Sequence, residues 1–204
     1  MTDREQQAAR RHLKRVDQVL RGVIEQVGVY KIRYRDDRFL ALVEAIVAQQ
    51  VSVGAARAIL KRLLDQYPRG LTPKRLLATP PASLRAVGLS RQKTEYLFGL
   101  ARHVEDGVFD LTGIHDLDDE QVAKTLTQVK GIGRWTVEMF LIFCLRRPDV
   151  LPVYDLGFRK AVQRAYRLRT PPEPEKIERL AAPWQPYRSV ATCYLWASLE
   201  PEPW

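Results

Sequence analysis

Asp155 is the residue best placed to do chemistry. It stands in DVLPVYDLGFRKAVQRAY, residues 149–166, 22 positions after Gly133. The segment that follows it puts Phe158, Val162 and Tyr166 on one helical face. An aspartate in that place reads first as a helix N-cap. A capping role and a chemical role are compatible. Backbone N–H groups and the positive end of the helix dipole keep such a carboxylate ionised. An ionised, fixed carboxylate can stabilise a cation developing on a sugar.

The second constellation is VKGIGRWTVEMF, residues 129–140. One helix is expected to end near Gln128 or Val129, and the next to begin near Arg134. The connection is Lys130-Gly131-Ile132-Gly133. Glycine tolerates positive φ, so this pair allows a tight reversal and a close approach of backbone to another molecule. The new helix then offers unpaired N–H groups and its positive dipole end. That is an anion site suited to a DNA phosphate, which would position the protein without reading sequence. The same pattern is also that of an ordinary turn between helices with glycine at a C-cap.

These residues must be carried by helices. Apolar positions recur at three and four in FLALVEAIVAQQ, VGAARAILKRLLDQY and TEYLFGLARHV, with Leu40, Val43 and Ile46–Val47 on one face. Ser90 is a plausible N-cap for the helix through His103, and Asp118 or Asp119 for the one carrying Val122, Leu126 and Val129. Pro68, Pro80–Pro81 and Pro171–Pro172 punctuate the gaps. Only YKIRYRD, residues 30–36, alternates like a strand; with no second strand to pair with, it reads as an extended connector.

The chain has 204 residues, 46% hydrophobic, which suffices for one compact domain or two small ones. It has no apolar run long enough to span a membrane, and MTDREQQAARRHLKR lacks the apolar core of a signal peptide. The two cysteines, Cys144 and Cys193, lie in apolar contexts and read as reduced core residues. They are too few for a four-cysteine iron–sulfur cluster. His12, His103 and His115 show no metal-ligand spacing and read as surface residues. A net charge of +9, spread along the chain, fits a polyanionic partner such as nucleic acid, although charge alone barely separates this from a protein that is simply basic.

The ordered set AIVAQQVSV, GLSRQK, VKGIGRWT, LPVYDLGFRK and WQPYRSVATCYLW, within about His12 to Glu200, resembles the helix–hairpin–helix DNA glycosylases. Within them it is most similar to the alkylation-repair branch, the DNA-3-methyladenine glycosylase II family. The resemblance implies an all-α, two-lobed fold with no N-terminal β domain. It places the active cleft between a lobe of residues 1–45 plus 150–204, carrying Asp155, and a lobe of residues 46–149, carrying the hairpin. It also implies double-stranded DNA as the partner of a monomer. The location would be the nucleoid-associated cytoplasm if the source is bacterial, and the nucleus if it is eukaryotic. No cofactor is expected apart from a Na+ or K+ ion on hairpin carbonyls.

The resemblance assigns roles residue by residue. The position after Arg134 carries a lysine in relatives that also cut the strand, where it attacks the sugar as an amine. Here it is Trp135, which cannot form a Schiff base, so a monofunctional enzyme leaving an abasic site is expected. Trp135 and Trp196 match the pair that stacks on the base, and a cationic alkylated purine suits an aromatic face. For Trp196 alone, core packing is the competing reading. Met139 and Leu156 stand where some relatives have aromatics, so the pocket should be less aromatic. Gln50 matches the residue that fills the gap left by a flipped nucleotide. Ser52 either caps the next helix or touches phosphate, while Lys130, Gly131, Ile132, Gly133, Arg134 and Thr136 form the DNA-binding hairpin. Tyr154 replaces a second aspartate common in relatives. The alternatives are a non-catalytic hairpin DNA-binding module, a bifunctional glycosylase/lyase for oxidised bases, and a helical protein with no nucleic-acid role.

Overall fold

The computed structural model describes residues 2–108 and 110–199. Among these the chain is helical throughout, without a β-strand, and no helix is long and apolar enough to cross a membrane. Residues 30–36 form no strand and connect the helix ending at Val27 to the one starting at Arg38 without regular structure.

The chain divides into two units. One joins the residues up to Tyr34 to the chain from Leu141 onward, and the other is Arg35–Phe140. The expected divisions, after residues 45 and 149, fall elsewhere. The first would have cut the helix Arg38–Ala48, which is one element buried along most of its length.

In the first unit, α1 (Asp3–Val16) opens with a capping box between Thr2 and Glu5. Asp17 then ends α1 and caps α2 (Gln18–Val27). Its carboxylate accepts from Val19 N and Leu20 N, from the Tyr166 hydroxyl and from Trp184 Nε1 at 2.9 Å. Four donors on one carboxylate tie α2 to the far end of the chain, and Trp184 is fully buried beside them. After α3–α9 come α10 (Leu156–Ala165), α11 (Pro174–Ala181) and α12 (Arg188–Leu199). Ser189–Ala197 of α12 are all buried, so this helix is apolar around its whole circumference and forms the core on which α1, α2 and α10 pack.

The second unit holds α3 (Arg38–Ala48), α4 (Val53–Asp65), α5 (Pro73–Leu77), α6 (Pro81–Ala86), α7 (Arg91–Glu105), α8 (Asp119–Leu126) and the first turns of α9 (Arg134–Phe143). Side-chain caps start most of these helices: Asp37, Ser52, Thr72, Ser90 and Asp118 each accept from a backbone N–H of the first turn. The α7 helix packs on α3, α5 and α6, with Leu97, Leu100 and Ala101 fully buried.

Both cysteines are buried thiols. The histidines are less uniformly superficial than expected. His115 is exposed, but His12 is half-buried, with Nε2 3.0 Å from the Pro183 carbonyl and its ring edge-on to Tyr187. His103 is half-buried and turns Nδ1 back to Gly99 O within its own helix.

Candidate active site and nucleic-acid interface

Asp155 caps α10 from an extended backbone, φ −70° and ψ 121°. Its Oδ1 accepts from Phe158 N at 2.5 Å and from the indole Nε1 of Trp196 at 3.0 Å. The carboxylate is half-buried and Trp196 is only 9% exposed. Gly157 lets these groups meet: a Cβ there would stand 3.2 Å from Asp155 Oδ1 and 3.6 Å from Trp196 Nε1. Trp196 is held by its neighbours, stacked on Phe143 at 5.9 Å and edge-on to Phe158 at 6.4 Å. Trp196 is therefore both a core residue and the orienting donor of the carboxylate, a role beyond the base stacking and core packing that its sequence context suggests.

The loop from α9 to Asp155 is fastened by the start of α12. Arg188 forks onto Asp149, Nε to Oδ1 at 2.7 Å and Nη2 to Oδ2 at 2.8 Å. Ser189 Oγ donates to Arg147 O and accepts from Val150 N. Neither residue was assigned a role from sequence, although both lie in WQPYRSVATCYLW. An Arg–Asp pair 39 positions apart leaves no local periodicity to read. Tyr154 and Leu156, on either side of Asp155, are 59% and 69% exposed. Within this unit, Leu156 borders a cavity of about 440 Å³ with Arg159, Lys160, Thr170, Pro171 and Glu173.

In the second unit the hairpin is as short as its sequence predicts, with Ile132 N bonded to Val129 O at 3.0 Å. Its glycines have different tasks. Gly131 takes φ +93°, and a Cβ there would lie 2.2 Å from ring carbons of Tyr96. Gly133 needs no positive φ, contrary to the expectation that both glycines make the reversal, because Gly131 alone turns the chain. A Cβ on Gly133 would meet nothing within 4 Å, so its missing side chain leaves open surface. Lys130, Gly133 and Arg134 are exposed, with Arg134 Nε 2.8 Å from Glu138 Oε1. Ile132 and Thr136, also assigned to the DNA-binding set, point inward with 4% and 1% exposure. Their side chains anchor the hairpin rather than join its surface. Trp135 is half-buried on the first turn of α9, and Met139, one turn on, is buried on the same face.

Gln50 is exposed and left-handed, φ +54°. Ser52 caps α4 through Ala55 N at 3.3 Å. Gln49, to which the sequence motif assigns no role, donates from Nε2 to Gly131 O at 2.8 Å and to Thr136 Oγ1 at 2.9 Å. Lys93 Nζ donates to Val47 O at 2.7 Å, and burial pulls its ammonium below the usual lysine value. Among the described residues, no group of three or more His, Cys, Asp or Glu is placed to hold a metal.

A capped carboxylate and an open glycine hairpin on one helical chain have known counterparts. Residues 43–186 match the HhH-GPD superfamily of base excision DNA repair proteins. The chain belongs to this superfamily. It is 32% identical to DNA-3-methyladenine glycosylase 1 of Schizosaccharomyces pombe, over 91% of this chain and 84% of that protein. It is 27% identical to the alkylbase DNA glycosidase-like protein mag2 of the same yeast, over 95% and 94%. Its fold superposes on the structure of an S. pombe 3-methyladenine DNA glycosylase in complex with abasic DNA with a TM-score of 0.87 and 32% identity, covering 93% of this chain and 95% of that one.

Proposed function

We propose that this chain is a monofunctional DNA glycosylase that removes alkylated, cationic purines from duplex DNA and leaves an abasic site. The observation that carries this reading is the Asp155 carboxylate, fixed by Phe158 N and Trp196 Nε1, in a chain with tryptophan at position 135. Double-stranded DNA carrying the lesion is the substrate, and the enzyme acts as a monomer.

Hairpin amides from the Gly133 end of α9, with Lys130 and Arg134, take a phosphate and fix the register on the duplex. The lesion is everted, since its glycosidic bond is inaccessible within the stack, and Gln50 occupies the space left behind. Trp135, with Met139 beside it, and Trp196 offer apolar and aromatic surface to the base, and a cationic purine gains most from it. N-alkylation has already weakened the bond. The C1′–N electron pair leaves with the base, which departs neutral, and positive charge develops on the sugar. Asp155 stabilises that charge, orients the water and receives its proton as the water oxygen bonds C1′. Ordinary glycoside hydrolysis needs a second carboxyl group to protonate the leaving group. A leaving group that starts cationic does not, so Tyr154 in place of a second aspartate is tolerated. A Na+ or K+ ion on the hairpin would be held by its backbone carbonyls.

The test is base release from duplexes carrying 3-methyladenine, 7-methylguanine, ethenoadenine or a deaminated base, with and without borohydride. The expected result is release of alkylated purines, intact strands and no trapped adduct. A borohydride-trapped protein–DNA adduct overturns the monofunctional reading in favour of a lyase. DNA binding without release of any base favours the non-catalytic module.

A further inference from the structure

Gln49 lies in the turn between α3 and α4, one residue before Gln50. Its single amide bridges the two sides of the hairpin, bonding the carbonyl of left-handed Gly131 and the hydroxyl of Thr136 in the first turn of α9. Both acceptors are fixed in turn. Gly131 is pressed against the Tyr96 ring, and Thr136 is 1% exposed. From the α7 side, Lys93 Nζ holds Val47 O at the end of α3. The turn is thus tied down immediately before an exposed residue.

That residue, Gln50, adopts φ +54°, a conformation that residues with a Cβ rarely take. It persists where surroundings over-determine it, and such positions cluster at functional sites. Its exposed side chain follows a backbone held on one side by Gln49, bonded to the hairpin, and on the other by Ser52, which caps α4 at 3.3 Å.

We propose that Gln49 is a positioning residue that locks the Gln50 turn to the phosphate-binding hairpin, so that gripping the backbone and filling the vacated stack occur as one rigid unit. A side chain driven into a duplex needs an anchor to push against, and the hairpin's hold on phosphate supplies one. The bridge requires two N–H donors from one group at the length of glutamine. Methionine matches the length without a donor, and glutamate would face the Gly131 carbonyl with an acceptor. The inference rests on the glycosylase reading and on Gln50 as the residue that enters the stack.

The experiment compares Gln49→Met, Gln50→Ala and the double variant in the full chain. Single-turnover base release is measured on a lesion within a duplex and on the same lesion in a single strand, where no stack has to be opened. Amide hydrogen exchange is followed in the DNA-free protein. Losing two neutral hydrogen bonds predicts duplex release about 30-fold slower for Gln49→Met. Single-strand release should stay within about threefold of wild type, and the double variant should be no slower than the slower single one. Ile132 and Val137 amides, which close the hairpin on Val129 O and Gly133 O, should exchange faster in Gln49→Met. Equal losses on both substrates, or additive losses in the double variant, overturn the coupling. Unchanged exchange in Gln49→Met overturns the brace itself. A wild-type chain that releases no base from either substrate overturns the glycosylase reading instead, and the exchange comparison still decides the brace.

Discussion

Replacing Trp196 by phenylalanine separates two roles that the native side chain combines. Phenylalanine keeps an aromatic face, the stack on Phe143 and the edge contact with Phe158, but it removes the Nε1–H that bonds Asp155 Oδ1 at 3.0 Å. A hydrogen bond to a charged acceptor contributes about 1.5–3 kcal/mol. Asp155 is half-buried rather than fully enclosed, which favours the lower part of that range. If the bond's whole contribution is to hold the carboxylate against the developing cation, the expected loss is about 10–50-fold in single-turnover base release. The loss should fall on the rate constant, with the dependence on DNA concentration little changed, because the bond removed is one to Asp155. The assay is release of N-methylpurines from a methylated duplex under enzyme excess, with thermal denaturation as the control for folding. Trp196→Phe working within about threefold of wild type would refute the reasoning, leaving Trp196 as ring surface and Asp155 positioned by its cap alone.

The two hairpin glycines should respond differently to alanine. Gly131→Ala forces a Cβ into positive φ and onto the Tyr96 ring, so urea denaturation should show a loss of about 2–4 kcal/mol. Gly133→Ala should cost less than about 1 kcal/mol, the scale of a poorer helix cap, yet weaken duplex binding in an anisotropy titration. Lys130→Ala should reduce the slope of log K against log salt by about 0.9, the signature of one lost phosphate contact, with little change in stability. Burial pushes the Cys193 thiol from its ordinary value near 9 up to about 12. A raised folded-state value means that this stabilisation is complete below the unfolded value and is lost as pH rises toward the folded one. Denaturant midpoints should accordingly fall between about pH 9 and 12, and Cys193 in the native protein should resist thiol reagents at about pH 8.

The legible parts of this fold were those written in short stretches of chain. Ser90, Asp155 and the pair Asp118–Asp119 announce caps because a side-chain oxygen and the amides it satisfies lie within three residues of each other. The hairpin was visible from its glycines, and the all-helical character from apolar spacing. Partners distant in sequence were not visible. Which glycine turns the chain is decided by Tyr96, on another helix. The orientation of Asp155 depends on Trp196, 41 positions away, and the loop before it on Arg188. Gln49 lies within a motif, but its task depends on Gly131, 82 positions away. Sequence thus displayed single side chains more readily than the distant partners that hold them in place.

The central claim is that one fixed carboxylate performs the chemistry. The most direct test is single-turnover base release by Asp155→Asn on a duplex carrying 3-methyladenine, alongside binding of the same duplex. The amide keeps the size of the side chain and an oxygen to cap α10, but it cannot offset a sugar cation or accept the water's proton. Release should fall by about 10³-fold while duplex affinity and thermal stability stay near wild type. Release at the wild-type rate by Asp155→Asn would contradict the account.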